Sequence, residues 1–80
     1  MVNDIVIPQI GEASSEFYLV KWLKNTGDRV TEGETLFELD IEKSVLEIES
    51  VYTGILTEIL VEEGEKVIPL QVAGKIITDE

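Results

Sequence analysis

The sequence predicts an all-β fold, a flattened barrel or sandwich of two antiparallel sheets with about four strands each. Three features support this prediction. Short apolar runs alternate with turn signals, no segment sustains a helical apolar period, and the second half of the chain repeats the pattern of the first. A chain of 80 residues forms one domain, residues 1–80, with a single modest core.

The expected strands follow the apolar alternation and stop at turn-forming residues. Pro8 and Pro69 lie in loops or at strand starts, where the missing backbone N–H is tolerated. Asn, Gly and acidic residues predict turns at residues 25–28 and 62–65. The predicted strands cover residues 5–7, 19–23, 36–41, 44–48, 55–61 and 72–77.

The clearest pattern is a hairpin with a two-residue turn at Glu42 and Lys43. Apolar residues occupy every second position on both sides of this turn, and burial fixes the register because a shift of one residue would turn one arm's apolar side chains outward. Lys43 is therefore expected at the tip, in water. By itself, a lysine there is typical of a solubilising surface charge. The predicted cross-strand pairs are Ile41 with Ser44, Leu39 with Leu46, and Phe37 with Ile48.

The two halves of the chain, residues 1–42 and 43–80, repeat at an offset of 37 residues. A pseudo-twofold axis between them would place the chain termini opposite the tip that carries Lys43. Residues 9–16 form a longer connection than their counterpart at residues 50–53, which makes them a candidate recognition surface. The matched residues are Leu19, Trp22, Leu23, Gly27, Asp28, Arg29, Val30 and Leu39 with Leu56, Ile59, Leu60, Gly64, Glu65, Lys66, Val67 and Ile76.

Composition excludes several classes of function. The chain has no Cys and no His, which removes thiolate nucleophiles, the usual general base and the commonest metal ligands, so no catalytic or metal site is expected. A net charge of -11 disfavours nucleic acids and anionic membranes as partners. Residues 1–7 lack the features of a signal peptide, and no apolar run is long enough to span a membrane, so an intracellular location is expected.

Glycines, acidic residues and one lysine follow a known order along nearly the whole chain. They are Pro8, Ile10, Gly11, Glu12, Glu16, Val20, Lys21, Trp22, Gly27, Asp28, Val30, Gly33, Glu38, Asp40, Ile41, Glu42, Lys43, Ser44, Glu47, Ser50, Gly54, Glu63, Gly64 and Val67. This order resembles the lipoyl domain of the E2 acyltransferase component of 2-oxoacid dehydrogenase complexes. The resemblance implies a barrel-sandwich hybrid fold with lipoic acid amide-linked to Lys43.

Further residue roles follow from the same resemblance. Asp40, Glu42 and Ser44 would form the context that a lipoate ligase or lipoyl transferase recognises. The loop at residues 11–16, with Gly11, Glu12 and Glu16, would select the dehydrogenase (E1) partner.

Two positions depart from the family pattern. The family usually has Asp-Lys-Ala at the tip, whereas this chain has Glu42-Lys43-Ser44. Glu keeps the charge and Ser stays small, so the hairpin is still expected to be modified. The family usually has Glu-Gly before the second strand, whereas this chain has Glu16-Phe17, and Phe17 is a candidate for shifting the loop at residues 11–16.

The resemblance implies a swinging-arm carrier that is not an enzyme by itself. Its lipoyl group would be reductively acylated by the thiamine-diphosphate-dependent E1 and would deliver the acyl group to CoA at the E2 catalytic domain. Dihydrolipoyl dehydrogenase (E3) would then reoxidise it. The parent protein would be a dihydrolipoamide acyltransferase of the bacterial cytoplasm or mitochondrial matrix, and the isolated domain is expected to be monomeric.

Two alternatives stay open. One is a biotin carboxyl carrier, which shares the fold and the repeat. Its target lysine usually lies between two methionines, whereas the only methionine of this chain is Met1. The other is an unmodified β-sandwich that serves as an interaction module.

Overall fold

Eight strands form two four-stranded antiparallel sheets in the computed structural model, which describes residues 1–9, 17–41 and 44–78. The strands are β1 (Val2–Val6), β2 (Phe17–Trp22), β3 (Arg29–Val30), β4 (Thr35–Ile41), β5 (Ser44–Glu49), β6 (Gly54–Ile59), β7 (Lys66–Val67) and β8 (Val72–Thr78). One sheet has the strand order β1-β8-β6-β3 and the other the order β5-β4-β2-β7. The predicted all-β fold is confirmed.

All six predicted strands are present, with ends that differ by up to three residues. The sequence did not predict β3 and β7, because a strand of two residues is too short to show an alternation. Both predicted turns are confirmed by backbone hydrogen bonds, from Asp28 N to Asn25 O at 3.0 Å and from Glu65 N to Glu62 O at 3.2 Å. Within the described ranges, no helix is long and apolar enough to cross a membrane.

The inner faces of the two sheets enclose one core of aliphatic and aromatic side chains. Trp22 packs at its margin with its ring centroid 4.7 Å from that of Phe37, and its indole Nε1 donates a hydrogen bond to Val61 O at 2.9 Å. This bond satisfies the one polar atom of a largely apolar side chain. The buried apolar residues are Ile5, Ile7, Phe17, Leu19, Val30, Leu36, Phe37, Leu39, Leu56, Val61, Val67, Ala73 and Ile76.

The internal repeat becomes a pseudo-twofold arrangement in three dimensions. Strands β2, β3 and β4 recur 37 residues later as β6, β7 and β8, with the same lengths. The two halves also exchange equivalent backbone hydrogen bonds, since Gly27 N donates to Leu56 O and Gly64 N donates to Leu19 O, both at 2.7 Å. Each half therefore completes the turn of the other half.

The first strand of each half follows a different offset. Ile7 N donates to Gln71 O and Ser50 N donates to Glu34 O, both at 2.8 Å, which makes Ile7 and Ser50 equivalent at an offset of 43 residues. The connection from β1 to β2 is therefore six residues longer than the connection from β5 to β6, as the change in offset from 43 to 37 shows.

The β4–β5 hairpin and the first and last described residues lie at opposite ends of the molecule. The N-terminal amine of Met1 donates to Thr78 O at 3.0 Å, and the end of β3 lies beside the same residues, since Gly54 pairs with both Val30 and Thr78. From there the chain turns into β4, whose seven residues extend about 20 Å away. We call the far end, where β4 stops at Ile41, the hairpin end.

Two equivalent turns each contain a residue in the left-handed backbone conformation, but only one of these residues is a glycine. Gly33 has φ +95°, and its counterpart 37 residues later is Leu70, with φ +70°. A Cβ at position 33 would meet no atom within 4 Å, so its only cost is backbone strain. For an L-residue that strain is about 1–2 kcal/mol.

We therefore expect Gly33→Ala to lower the free energy of unfolding by about 1 kcal/mol. Leu70→Gly removes the same strain from a largely exposed side chain but adds entropy to the unfolded chain, so we expect a change below about 1 kcal/mol. Urea unfolding of both variants and the wild type measures the difference. A loss in Leu70→Gly as large as that in Gly33→Ala would contradict the assignment of strain to position 70.

Candidate functional site

The β4–β5 hairpin has the register that the sequence predicts. Ile41 pairs with Ser44, Leu39 with Leu46, and Phe37 with Ile48, and the register shifts only between Thr35 and Phe37, far from the hairpin end. The chain passes from β4 to β5 through residues 42 and 43, which lie outside the described residues. The predicted attachment residue, Lys43, thus falls between two strands whose final pair is fixed by the sheet.

The hairpin end is continuous with the rest of its sheet. Phe17 pairs with Ile41 on one side and with Val67 on the other, so four residues from four strands form one row across the sheet. Phe17 is completely buried. The departure from the family pattern at this position therefore adds an aromatic ring to the core, whereas the loop that Phe17 was expected to shift lies outside the described residues.

The outer face of the sheet near the hairpin end carries the acidic residues Glu38, Asp40 and Glu47. Asp40 is half-buried and lies between Tyr18 of β2 and Val45 of β5. In the next row, Glu38 faces Glu47 across the strands, and Lys21 is the cross-strand neighbour of Glu38 on its other side. Like charges directly opposite one another are unfavourable, and the lysine offsets part of that repulsion.

The structure describes two of the predicted site residues. Asp40 lies on the outer face, and Ser44 is the exposed first residue of β5. Glu42, Lys43, Gly11, Glu12 and Glu16 lie outside the described residues. The roles predicted for all seven residues stay predictions.

The lysines of the described ranges lie within or beside strands. Lys24 Nζ is 2.8 Å from Glu34 Oε2, and this hydrogen bond, with one from the Thr31 amide, lowers the pKa of the Glu34 carboxyl. Lys75 Nζ is 3.9 Å from Asp4 Oδ1. Lys21 belongs to β2 and Lys66 to β7. None of these four described lysines is at a hairpin tip, and the same ranges contain no cluster of three or more acidic residues arranged to hold a metal ion.

The turn at residues 68–71, at the hairpin end, is not among the turns that the sequence predicts. It follows Val67, which belongs to the row that contains Ile41. Ile68 and Leu70 are about two-thirds exposed. Aligning the repeat at 37 residues would have revealed the turn, because it places Leu70 on Gly33.

Comparison with known proteins identifies the class to which this fold and hairpin belong. Residues 3–78 match the model of the Biotin_lipoyl family, described as "Biotin-requiring enzyme". The chain belongs to this family of biotinyl and lipoyl attachment domains. Within it, the chain is a lipoyl domain of the kind found in the E2 acyltransferase components of 2-oxoacid dehydrogenase complexes.

Two relatives support this placement. The chain is 35% identical over 98% of its length to the dihydrolipoyllysine-residue succinyltransferase component of the 2-oxoglutarate dehydrogenase complex of Haemophilus influenzae. It is 32% identical over 95% of its length to the dihydrolipoyllysine-residue acetyltransferase component of the pyruvate dehydrogenase complex of Rickettsia prowazekii. The chain spans 19% of each of these two relatives.

The solution structure of the lipoyl domain of the 2-oxoglutarate dehydrogenase complex from Azotobacter vinelandii has the same fold. The two chains superpose with a TM-score of 0.76 at 27% identity, over 92% of this chain and 94% of the other.

Proposed function

We propose that Lys43 carries an amide-linked lipoyl group and that the domain is the swinging-arm carrier of a 2-oxoacid dehydrogenase complex. The observation that carries the proposal is the position of Lys43 in the two-residue connection between Ile41 and Ser44, a pair held in register by the sheet. The described neighbours fit such a group, since Ser44 and Val45 are both exposed and leave the surroundings open to an enzyme.

The protein's contribution to this function is placement. When bound, the lipoyl group supplies reversible disulfide chemistry and a thiol that accepts acyl groups. The residues of the chain supply a rigid base, because Ile41 belongs to a row of four strands that Phe17 anchors in the core. Tethering such a base within a complex raises the local concentration of the arm at each active site. Its partners would be E1, the E2 catalytic domain, E3 and a lipoylating enzyme.

Intact mass of the domain, produced in cells supplied with both lipoate and biotin, tests the proposal. We expect one added lipoyl group. Lipoate is favoured over biotin by the relatives, whose names specify a dihydrolipoyllysine residue, and by the absence of methionines beside Lys43. An added biotinyl group would assign the domain to carboxyl transfer. An unmodified mass would favour the alternative that the domain is an unmodified interaction module.

We further propose that Glu12 and Glu16 contribute to the selection of E1. Their segment belongs to the one connection that is longer in the first half than in the second, and such loops on a rigid sheet frequently carry recognition. If E1 presents a basic surface, Glu12→Gln with Glu16→Gln should slow reductive acylation and weaken its salt dependence, without changing lipoylation.

The matched control is Glu62→Gln with Glu65→Gln, which removes the same charge from a turn. At that turn Glu65 Oε2 accepts a hydrogen bond from Glu62 N at 3.1 Å, and a glutamine side-chain oxygen can replace this acceptor. The rate of reductive acylation of each lipoylated variant is measured at low and high salt. Equal rates in all proteins would refute the role of the loop. Equal slowing in both double variants would show that net charge, and not the loop, determines the rate.

A further inference from the structure

The turn at residues 68–71, which we call the apolar turn, differs in chemistry from its equivalent in the first half. Its sequence is Ile-Pro-Leu-Gln, whereas residues 31–34 read Thr-Glu-Gly-Glu. Ile68 is 62% exposed and Leu70 is 63% exposed. Two large aliphatic side chains thus project into solvent where the equivalent turn has polar residues and a glycine.

Folding alone does not account for these side chains. Both turns are closed in the same way, since Ile68 N donates to Gln71 Oε1 at 3.0 Å and Thr31 N donates to Glu34 Oε1 at 2.6 Å. The left-handed φ of +70° at Leu70 would suit glycine better. A strained leucine that buries little surface in its own domain indicates a use for that side chain outside the domain.

The apolar turn lies close to the hairpin end, where the lipoyl arm would be attached. Val67, which precedes it, is two strand spacings from Ile41 across the row through Phe17, a separation of about 10 Å. An enzyme that receives the arm from Lys43 therefore approaches this turn.

The apolar turn also borders the segment proposed to select E1. Leu70 N donates to Ile7 O at 2.7 Å, and Ile7 N donates to Gln71 O at 2.8 Å, shortly before that segment begins. Phe17, immediately after the segment, pairs with Val67. Described residues on both sides of residues 10–16 are thus bonded to the apolar turn or to the residue preceding it.

We propose that the apolar turn is a docking element for E1, which receives Ile68 and Leu70 in an apolar depression. This inference rests on the proposed function, and it assigns the turn to the partner that the bordering segment selects. Because the backbone of the turn is fixed by its own hydrogen bonds, docking costs little ordering entropy. Apolar contact at this point complements the salt-sensitive contribution of the acidic surface.

The test replaces both side chains by those of the equivalent turn, as Ile68→Thr with Leu70→Gly. The fully lipoylated variant is assayed for reductive acylation by the pyruvate and 2-oxoglutarate E1 components of the same organism. With whichever of these accepts the wild type, we expect kcat/KM to fall about tenfold through a higher KM. Added salt should not remove this difference in KM between the variant and the wild type. The rate of lipoylation by lipoate ligase should stay unchanged.

The control is Val2→Thr with Ile77→Thr, a cross-strand pair of exposed aliphatic residues at the opposite end of the molecule, which should leave kcat/KM unchanged. An unchanged kcat/KM in the turn variant would overturn the proposal, as would an equal loss in both double variants. A comparable fall in the lipoylation rate would overturn it by assigning the turn to the ligase. Failure of the wild type to accept lipoate would instead refute the function on which the proposal rests.

Discussion

Lys43→Arg is expected to carry no lipoyl group under conditions that modify the wild type fully. Lipoate is joined through an amide bond, which needs the primary amine of lysine, and the guanidinium of arginine keeps the charge without supplying that amine. The effect on activity is therefore all or none. Stability should change by less than about 0.5 kcal/mol, because the sequence predicts that Lys43 lies in water and substitutions of such residues usually have small effects.

The measurement is intact mass after incubation with lipoate ligase, ATP and lipoate. Lys66→Arg is the matched control, since Lys66 belongs to β7, and it should be modified at the wild-type rate. Circular dichroism of both variants verifies that the fold is kept. Modification that survives Lys43→Arg would place the attachment site on another lysine and would refute the assignment.

The sequence predicted the hairpin register because apolar residues alternate along both arms, and those of β4 are buried or half-buried. Only one pairing places Phe37, Leu39 and Ile41 on the same side as the apolar residues of the next strand, and that pairing is present. The repeat, for its part, predicted that the hairpin and the chain termini lie at opposite ends, an arrangement that the strand connections confirm for the described residues. The apolar alternation and the internal repeat can both be recognised in a single sequence, so the features that depend on them could be predicted.

Other features depend on interactions that are distant in sequence. Strand β1 begins at Val2, three residues before the predicted start, because its backbone pairs with β8 while its first residues are polar or exposed. The apolar turn was missed since an exposed Ile or Leu is unremarkable in a sequence, and it becomes informative only beside its polar equivalent. The burial of Phe17 could not be predicted either, because it depends on pairing with strands β4 and β7.

Phe17 and Gly54 are equivalent positions in the repeat, and alanine at either one is expected to destabilise the domain strongly, for opposite reasons. Phe17 is completely buried, so Phe17→Ala leaves a cavity that costs about 3–5 kcal/mol. At Gly54, a Cβ would overlap the backbone oxygen of Ile77, so Gly54→Ala must push β6 away from β8, and we expect a loss of about 3 kcal/mol. A domain of this size has a total stability of about 4–12 kcal/mol.

Urea unfolding measures both losses, and two milder variants separate the causes. Phe17→Leu fills most of the cavity and should recover more than half of the loss, whereas Gly27→Ala tests glycine replacement where no atom lies within 4 Å of the new Cβ and should cost about 1 kcal/mol. A Gly54→Ala loss no larger than that of Gly27→Ala would show that the strands yield easily.

Because Phe17 pairs directly with Ile41, its alanine variant should also slow lipoylation of the folded domain, whereas Gly54→Ala, at the opposite end, should not. Equal lipoylation rates in the two folded variants would mean that the ligase does not depend on the packing beneath the hairpin end.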